Sequence, residues 1–191
     1  MNYKINDKCF DIYPRLETER LLLEEITIND AQDLYEIRSD SKVMKYFDRE
    51  MHKKIDDTLE MIEEIKKSFK EKNGITWIMK EKDSKKVIGY LGFWRLIRDK
   101  VRGEIGYALK PAYWNKGFMK ESLIKIIGFG FNEFGLHSIE ANVNPENINS
   151  IKSLERIGFK KEAYFREDYF FQGKFLDSVI YSLLETDPLN K

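Results

Sequence analysis

Residues 113–122 read YWNKGFMKES, and they combine residue types that can bind an anion. Gly117 stands between Lys116 and Phe118, with Lys120 close behind, just before a long apolar helical pattern. The first turn of a helix carries unbonded N–H groups and the positive end of the dipole. Such an end takes phosphates. Gly117 allows the backbone to approach a ligand or to adopt a positive φ. Together these features suit a pyrophosphate. The stretch is not a Walker loop, because GxxxxGK[ST] is absent, and no GxGxxG follows a strand. Taken alone, a glycine in an ordinary loop beside solvated lysines explains it equally well. The other reactive types are less promising. His52 and His137 lack metal-ligand spacing, so no metal is expected, and Cys9 has no plausible base partner.

The chain around this stretch has 191 residues, 42% of them hydrophobic, which suffices for a proper core in one domain spanning 1–191. Lys+Arg and Asp+Glu are both 33, and a balanced charge argues against a primary nucleic-acid binder. The single cysteine forms no internal disulfide and fits a reducing cytosol. The N-terminal MNYKINDKCFDIYPR has no apolar core of a signal peptide, and LIKIIGFGF is interrupted by Lys125. The expectation is a cytoplasmic protein without a membrane span.

Elements follow from periodicity. Residues 20–26 read as a strand, and Asn29 or Asp30 can cap a helix to about Ser39. Residues 41–55 are ambiguous. A helix covers 56–72, with Leu59, Ile62, Ile65 and Phe69 on one stripe. Strands are expected at 75–81, 87–96 and 103–110, a helix at about 117–134, and a strand at 138–143. A short helix starts at Asn149-Ser150 and ends at Gly158; strands at about 159–169 and 175–184 join through Gln172-Gly173. This order, β-α-α-β-β-β-α-β-α-β-β, predicts an α+β (mixed α/β) fold, a mixed twisted sheet of about seven strands flanked by helices.

The runs EIGYALKPAYWNKGFMKES and GLHSIEANVNPENINSIKSLERIGF, with LETERLLLEEIT before them and GKFLDSVIYSLLETD after, resemble the GCN5-related N-acetyltransferase (GNAT) superfamily. The resemblance covers roughly 14–186 and is strongest to the RimJ/RimL-like branch, which acts on ribosomal-protein N-termini. It implies acetyl-coenzyme A as donor, with a pyrophosphate cradle at Asn115, Lys116, Gly117, Phe118, Met119 and Lys120. Trp114 and Met119 depart from residues common in the family at those positions. The resemblance further implies that Tyr107, Ala108 and Leu109 pair with the pantetheine amides, as in strand addition, and that the strands 103–110 and 138–143 splay apart. Gly103 and Gly106 fit a bulge there. Asn147 matches a coenzyme-contacting asparagine; a helix cap at Asn149 or Ser150 is the structural alternative for that segment.

Acetyl transfer needs a neutral amine, a polarised thioester carbonyl and a proton for the departing thiolate. An α-amine of pKa about 7.8 is roughly a tenth neutral at pH 7, whereas a lysine amine is far less so. By resemblance, Glu104 is the candidate base; a structural carboxylate paired with Arg102 or a lysine is the alternative. Glu121 reads as a helix-dipole residue. The tyrosine acid common in the family falls at Leu154 here, and Ser150 is the hydroxyl that remains. The acceptor pocket is expected between 28–60 and the hairpin 164–176, with Tyr35, Tyr46, Phe47, Tyr164, Arg166 and Tyr169 available, while Trp77 and Trp94 read as core. Two other readings stay open: a non-catalytic acyl-coenzyme A-binding regulator, and an acetyltransferase for a polyamine or small amine. A homodimer is compatible with the sequence.

Overall fold

Runs with period two, and one run apolar on both faces, assemble into a mixed sheet in the computed structural model, which describes residues 4–190. Its strands are β1 (Leu16–Glu17), β2 (Leu21–Glu25), β3 (Ile75–Glu81), β4 (Val87–Ile97), β5 (Arg102–Leu109), β6 (Ser138–Val143), β7 (Lys160–Phe171) and β8 (Lys174–Leu184). Among the described residues the sheet has eight strands in the order β1-β2-β3-β4-β5-β6-β8-β7. The additional strand is β1, two residues pairing Leu16 with Leu23 and Glu17 with Leu22. Two residues carry no period, so β1 leaves no sequence signal. The helices are α1 (Ala31–Arg38), α2 (Ser41–Met44), α3 (Ile55–Lys70), α4 (Phe118–Asn132) and α5 (Ile148–Ile157).

The sheet separates two apolar layers. Trp77, Met79, Leu91 and Phe93 pack with Leu123, Ile126 and Phe129 of α4 and Leu154 of α5. Ile78 and Tyr90 face the other way, against Leu34 and Ile37 of α1 and Ile62 of α3. β4 is therefore buried on both faces, as its unbroken apolar run requires. The ambiguous stretch 41–55 resolves into the single turn of α2 and a loop. Asp40 caps that turn, its carboxylate accepting from the N–H groups of Lys42 (2.7 Å) and Val43 (3.3 Å).

Two local features shape the centre. All adjacent strands are antiparallel except β5 and β6, which are parallel and paired only through Arg102–Ser138, Gly103–Ile139 and Glu104–Glu140. Beyond Glu104 the strands part, so the expected splay is present and Ile105–Leu109 has no strand partner on that side. The expected bulge falls on the neighbouring strand. Phe93 opposes Ile105 and Arg95 opposes Glu104, leaving Trp94 as the extra residue of β4. The Trp94 ring then lies over Gly106, where an added Cβ would stand 2.2 Å from it. Gly106 is a glycine because the bulged indole occupies that space. No described helix is long and apolar enough to cross a membrane.

Candidate active site

The loop before α4 is built as a backbone donor. Gly117 takes φ 82° and occupies the cap position with no side-chain hydrogen bond, so the first-turn N–H groups stay open. Asn115 is also left-handed, at φ 59°. Asn115 and Met119 line a groove of about 400 Å³ along Tyr107, Ala108 and Leu109, closed on the far side by Lys42, Lys45 and Phe47. Lys116 and Lys120 flank the loop, whereas the Phe118 ring is buried beneath it. The open strand edge and the open helix start lie along one groove, an arrangement that fits an extended molecule with an anionic portion. Lys42 and Lys45 add cations that no motif announced.

One distant arginine holds this loop. Arg20 donates from Nη1 to the Lys116 carbonyl (3.0 Å) and pairs through Nε with Glu121 Oε2 (2.7 Å), while its backbone N–H donates to Glu121 Oε1 (2.9 Å). Its guanidinium lies 4.1 Å over the Phe118 ring. Glu121 thus anchors Arg20 in addition to sitting in the first helical turn. Burial raises its pKa, but hydrogen bonds from Thr18 and Arg20 outweigh it and hold the carboxyl below its usual range. Sequence reasoning missed Arg20, which stands 101 residues from Glu121.

Where β5 and β6 part, a smaller chamber of about 180 Å³ brings Glu104, Tyr107, Asn147 and Ser150 together. Glu104 pairs with Arg95 (2.7 Å), where the structural alternative supposed Arg102 or a lysine. Arg102 instead donates to Glu140 (2.9 Å) and Ser138 (2.8 Å), because register sets Glu140 beside Glu104. Burial pushes the Glu104 carboxyl above its usual range, with help from Glu140 and Asp48 against the pull of Arg95. Opposite, the Tyr107 hydroxyl and Ser150 Oγ are 2.7 Å apart. Burial raises the Tyr107 phenol to about 12, against the lowering effect of Ser150. Asn147, rather than Asn149 or Ser150, caps α5, its Oδ1 accepting from the Ser150 N–H (3.2 Å). That cap fixes where Ser150 points. Leu154 is fully buried in the core, so the phenol near Ser150 comes from β5 instead.

A third cavity, about 580 Å³, adjoins the chamber and shares Asp48, Arg49 and Trp94 with it. Trp94 is therefore a wall and not core, stacked on Tyr90 (6.3 Å) and 6.2 Å from Phe47, whereas Trp77 is core. Of the residues expected around an acceptor, Tyr46, Phe47 and Tyr169 line the chamber. Tyr35 donates to the Lys53 carbonyl and Tyr164 to Asp177, and neither they nor Arg166 line a cavity described here; Phe171 reaches in from the hairpin instead. His52 lines this cavity but is held neutral, its pKa pushed down to about 4 by burial and then by Arg38. His137 bonds Glu185, and the Cys9 thiol is pushed up by burial. Among the described residues no group of three His, Cys, Asp or Glu is placed to hold a metal.

Comparison with known proteins agrees with this geometry. The family model for the acetyltransferase (GNAT) domain matches residues 20–160. The chain is 34% identical over 174 residues to YoaA of Bacillus subtilis (strain 168), described as an uncharacterized N-acetyltransferase, covering 91% of this chain and 98% of that protein. It is 31% identical over 106 residues, 55% of each chain, to the Escherichia coli (strain K12) [ribosomal protein uS5]-alanine N-acetyltransferase. A crystal structure of a GNAT-family acetyltransferase from Bacillus anthracis superposes with a TM-score of 0.81 at 27% identity, covering 90% of this chain and 99% of that one. An opened mixed sheet, an uncapped glycine-led helix and a family match over most of the length lead to one conclusion: the chain is an N-acetyltransferase and belongs to the GNAT family.

Proposed function

We propose that the protein moves the acetyl group of acetyl-coenzyme A to the α-amine of a peptide N-terminus by direct attack in a ternary complex. The observation that carries this reading is the meeting of two cavities at one chamber. The groove beside Gly117 shares Tyr107, Asn147 and Ser150 with the chamber that holds Glu104, and the cavity behind Trp94 adjoins the same chamber at Asp48, Arg49 and Trp94. The donor supplies the thioester; residues of the chain supply binding and proton transfer. Backbone amides of 115–120 take the pyrophosphate, and the free edge of Tyr107–Leu109 takes the pantetheine amides, with Asn147 beside it. Glu104 accepts the proton of the amine as nitrogen bonds to the acetyl carbon. Ser150 donates a hydrogen bond to the sulfur as the carbon–sulfur bond breaks, and the proton released by the amine balances the thiol that leaves. Tyr107 stays protonated and directs its O–H at Ser150 Oγ, leaving the serine O–H to hydrogen-bond to the sulfur. Tyr107 is a positioning residue here, because a phenol near 12 and an aliphatic hydroxyl are both far weaker acids than a thiol and give the sulfur hydrogen bonds only.

An α-amine asks less of its base than a lysine amine does, which suits a single carboxylate without a histidine. The resemblance in part to a ribosomal-protein alanine acetyltransferase supports the same acceptor. The exposed Glu60 and Glu64, at the rim of the acceptor cavity, favour a second reading, a polyamine with further cations. A thiol-release assay with acetyl-coenzyme A against short peptides, spermidine and small amines separates them. Turnover confined to peptides is the expected result; turnover confined to spermidine replaces the acceptor. Binding of acetyl-coenzyme A with no turnover of any amine supports a regulatory module instead.

A further inference from the structure

Arg38 ends α1, and its side chain is buried, the residue being only 4% exposed. Among the described residues it forms no ion pair with any carboxylate. Nε donates to His52 Nε2 (3.3 Å), and Nη2 reaches the Glu50 carbonyl (3.4 Å). Nη1 makes no hydrogen bond, yet it is not among the buried polar atoms that lack one, so it opens onto space. Arg38 lines the cavity behind Trp94 together with Asp48, and its guanidinium lies 5.5 Å over the Phe47 ring, which offers no counter-charge. The neighbours do not neutralise it. His52 accepts from Arg38 at Nε2, so its proton sits on Nδ1 and points at Thr58 Oγ1 (2.8 Å). A buried cation without a counter-ion is costly, and anchoring a loop requires only a neutral donor.

Four of the carboxylates lining this cavity are committed or screened. Glu50 accepts from Gln172 (3.2 Å), and Asp57 accepts from the N–H groups of Lys53 (2.7 Å) and Lys54 (3.2 Å). Glu60 and Glu64 are exposed on α3, where water weakens their field. Asp48 makes no ion pair and lies near enough to Glu104 to raise its pKa. The buried Arg38 donor, and the exposed Asp48 that this cavity shares with the reaction chamber, describe a site for an ammonium with an oxygen acceptor beside it.

We propose that Arg38 Nη1 binds the carbonyl or carboxylate oxygen adjacent to the acceptor's amine, so that the enzyme selects α-amino acyl compounds over plain alkylamines. This rests on the acetyltransferase reading given above. The test uses alaninamide, alanine and isopropylamine as matched acceptors, with the whole chain as wild type and Arg38→Met. A charge-assisted hydrogen bond is worth roughly ten- to hundredfold in affinity. Expected is that Arg38→Met lowers kcat/KM for alaninamide or alanine at least tenfold further than for isopropylamine, with acetyl-coenzyme A affinity unaltered. Whichever of the two amino acyl compounds suffers more names the oxygen as carbonyl or carboxylate. A uniform fall across all three acceptors, the mark of loop anchoring alone, overturns the proposal. If Arg38→Met does not fold, Arg38→Gln keeps an N–H for His52 and is judged by the same ratio. If no amine turns over, the acetyltransferase reading fails separately. The Arg38 site is then judged by calorimetric titration of alaninamide against isopropylamine into coenzyme-loaded wild type and variant. An alaninamide preference that the variant loses supports it, and equal or absent binding overturns it.

Discussion

Replacing Tyr107 by phenylalanine removes one oxygen from a half-buried position at nearly constant shape and tests the hydrogen-bond path to the sulfur directly. In the native chamber that oxygen lies 2.7 Å from Ser150 Oγ. Its phenol, raised to about 12, remains protonated at every usable assay pH and so keeps an O–H that can donate to the serine. A neutral hydrogen bond contributes about 1–1.5 kcal/mol net. Its loss frees the serine hydroxyl to rotate away from the sulfur, so kcat should fall about five- to tenfold, since 1.36 kcal/mol is tenfold in rate. The KM for acetyl-coenzyme A should hold, because strand pairing at Tyr107 uses backbone groups. The assay is thiol release at saturating donor and acceptor, run as a cycle with Ser150→Ala. In the Ser150→Ala background Tyr107→Phe should add nothing, because the phenol acts through the serine. Equal losses in both backgrounds, or a kcat within twofold of wild type, would refute the positioning role.

Glu104→Gln should lower kcat about a hundredfold or more at neutral pH while leaving acetyl-coenzyme A affinity intact. A base works when deprotonated, and burial raises this carboxyl. Wild-type kcat/KM should therefore decline as pH falls through a point above the ordinary glutamate range, and Arg95→Ala should move that decline to still higher pH. A decline at the same pH in Arg95→Ala would remove Glu104 from the titration. Arg20→Ala should weaken acetyl-coenzyme A binding about three- to tenfold by releasing the Lys116 carbonyl and Glu121. The partial exposure of the pair keeps the effect modest. Unchanged affinity in a calorimetric titration would show that the loop holds its shape without Arg20.

What the chain states locally can be read from it directly. The strands at 75–81 and 138–143 follow from short runs of β-prone residues bounded by turns, and β4 follows from an unbroken apolar run. The glycine-led start of α4 likewise needs only Gly117 and the periodicity behind it. Each of these is decided within one turn or one strand. The partners inside the site are decided elsewhere. Arg20 meets Glu121 because β2 and the start of α4 are brought together by packing on the sheet. Glu104 takes Arg95 because one bulged residue shifts the register between β4 and β5. The same bulge makes Trp94 a cavity wall, and the Asn147 cap aims Ser150 at Tyr107 across 43 residues. Arg38 looks like any helix-terminal cation until α1, α3 and the loop between them bury it. Periodicity reports which face of an element avoids water. Register, bulges and caps choose which polar groups then meet, and those choices exist only once distant segments have packed.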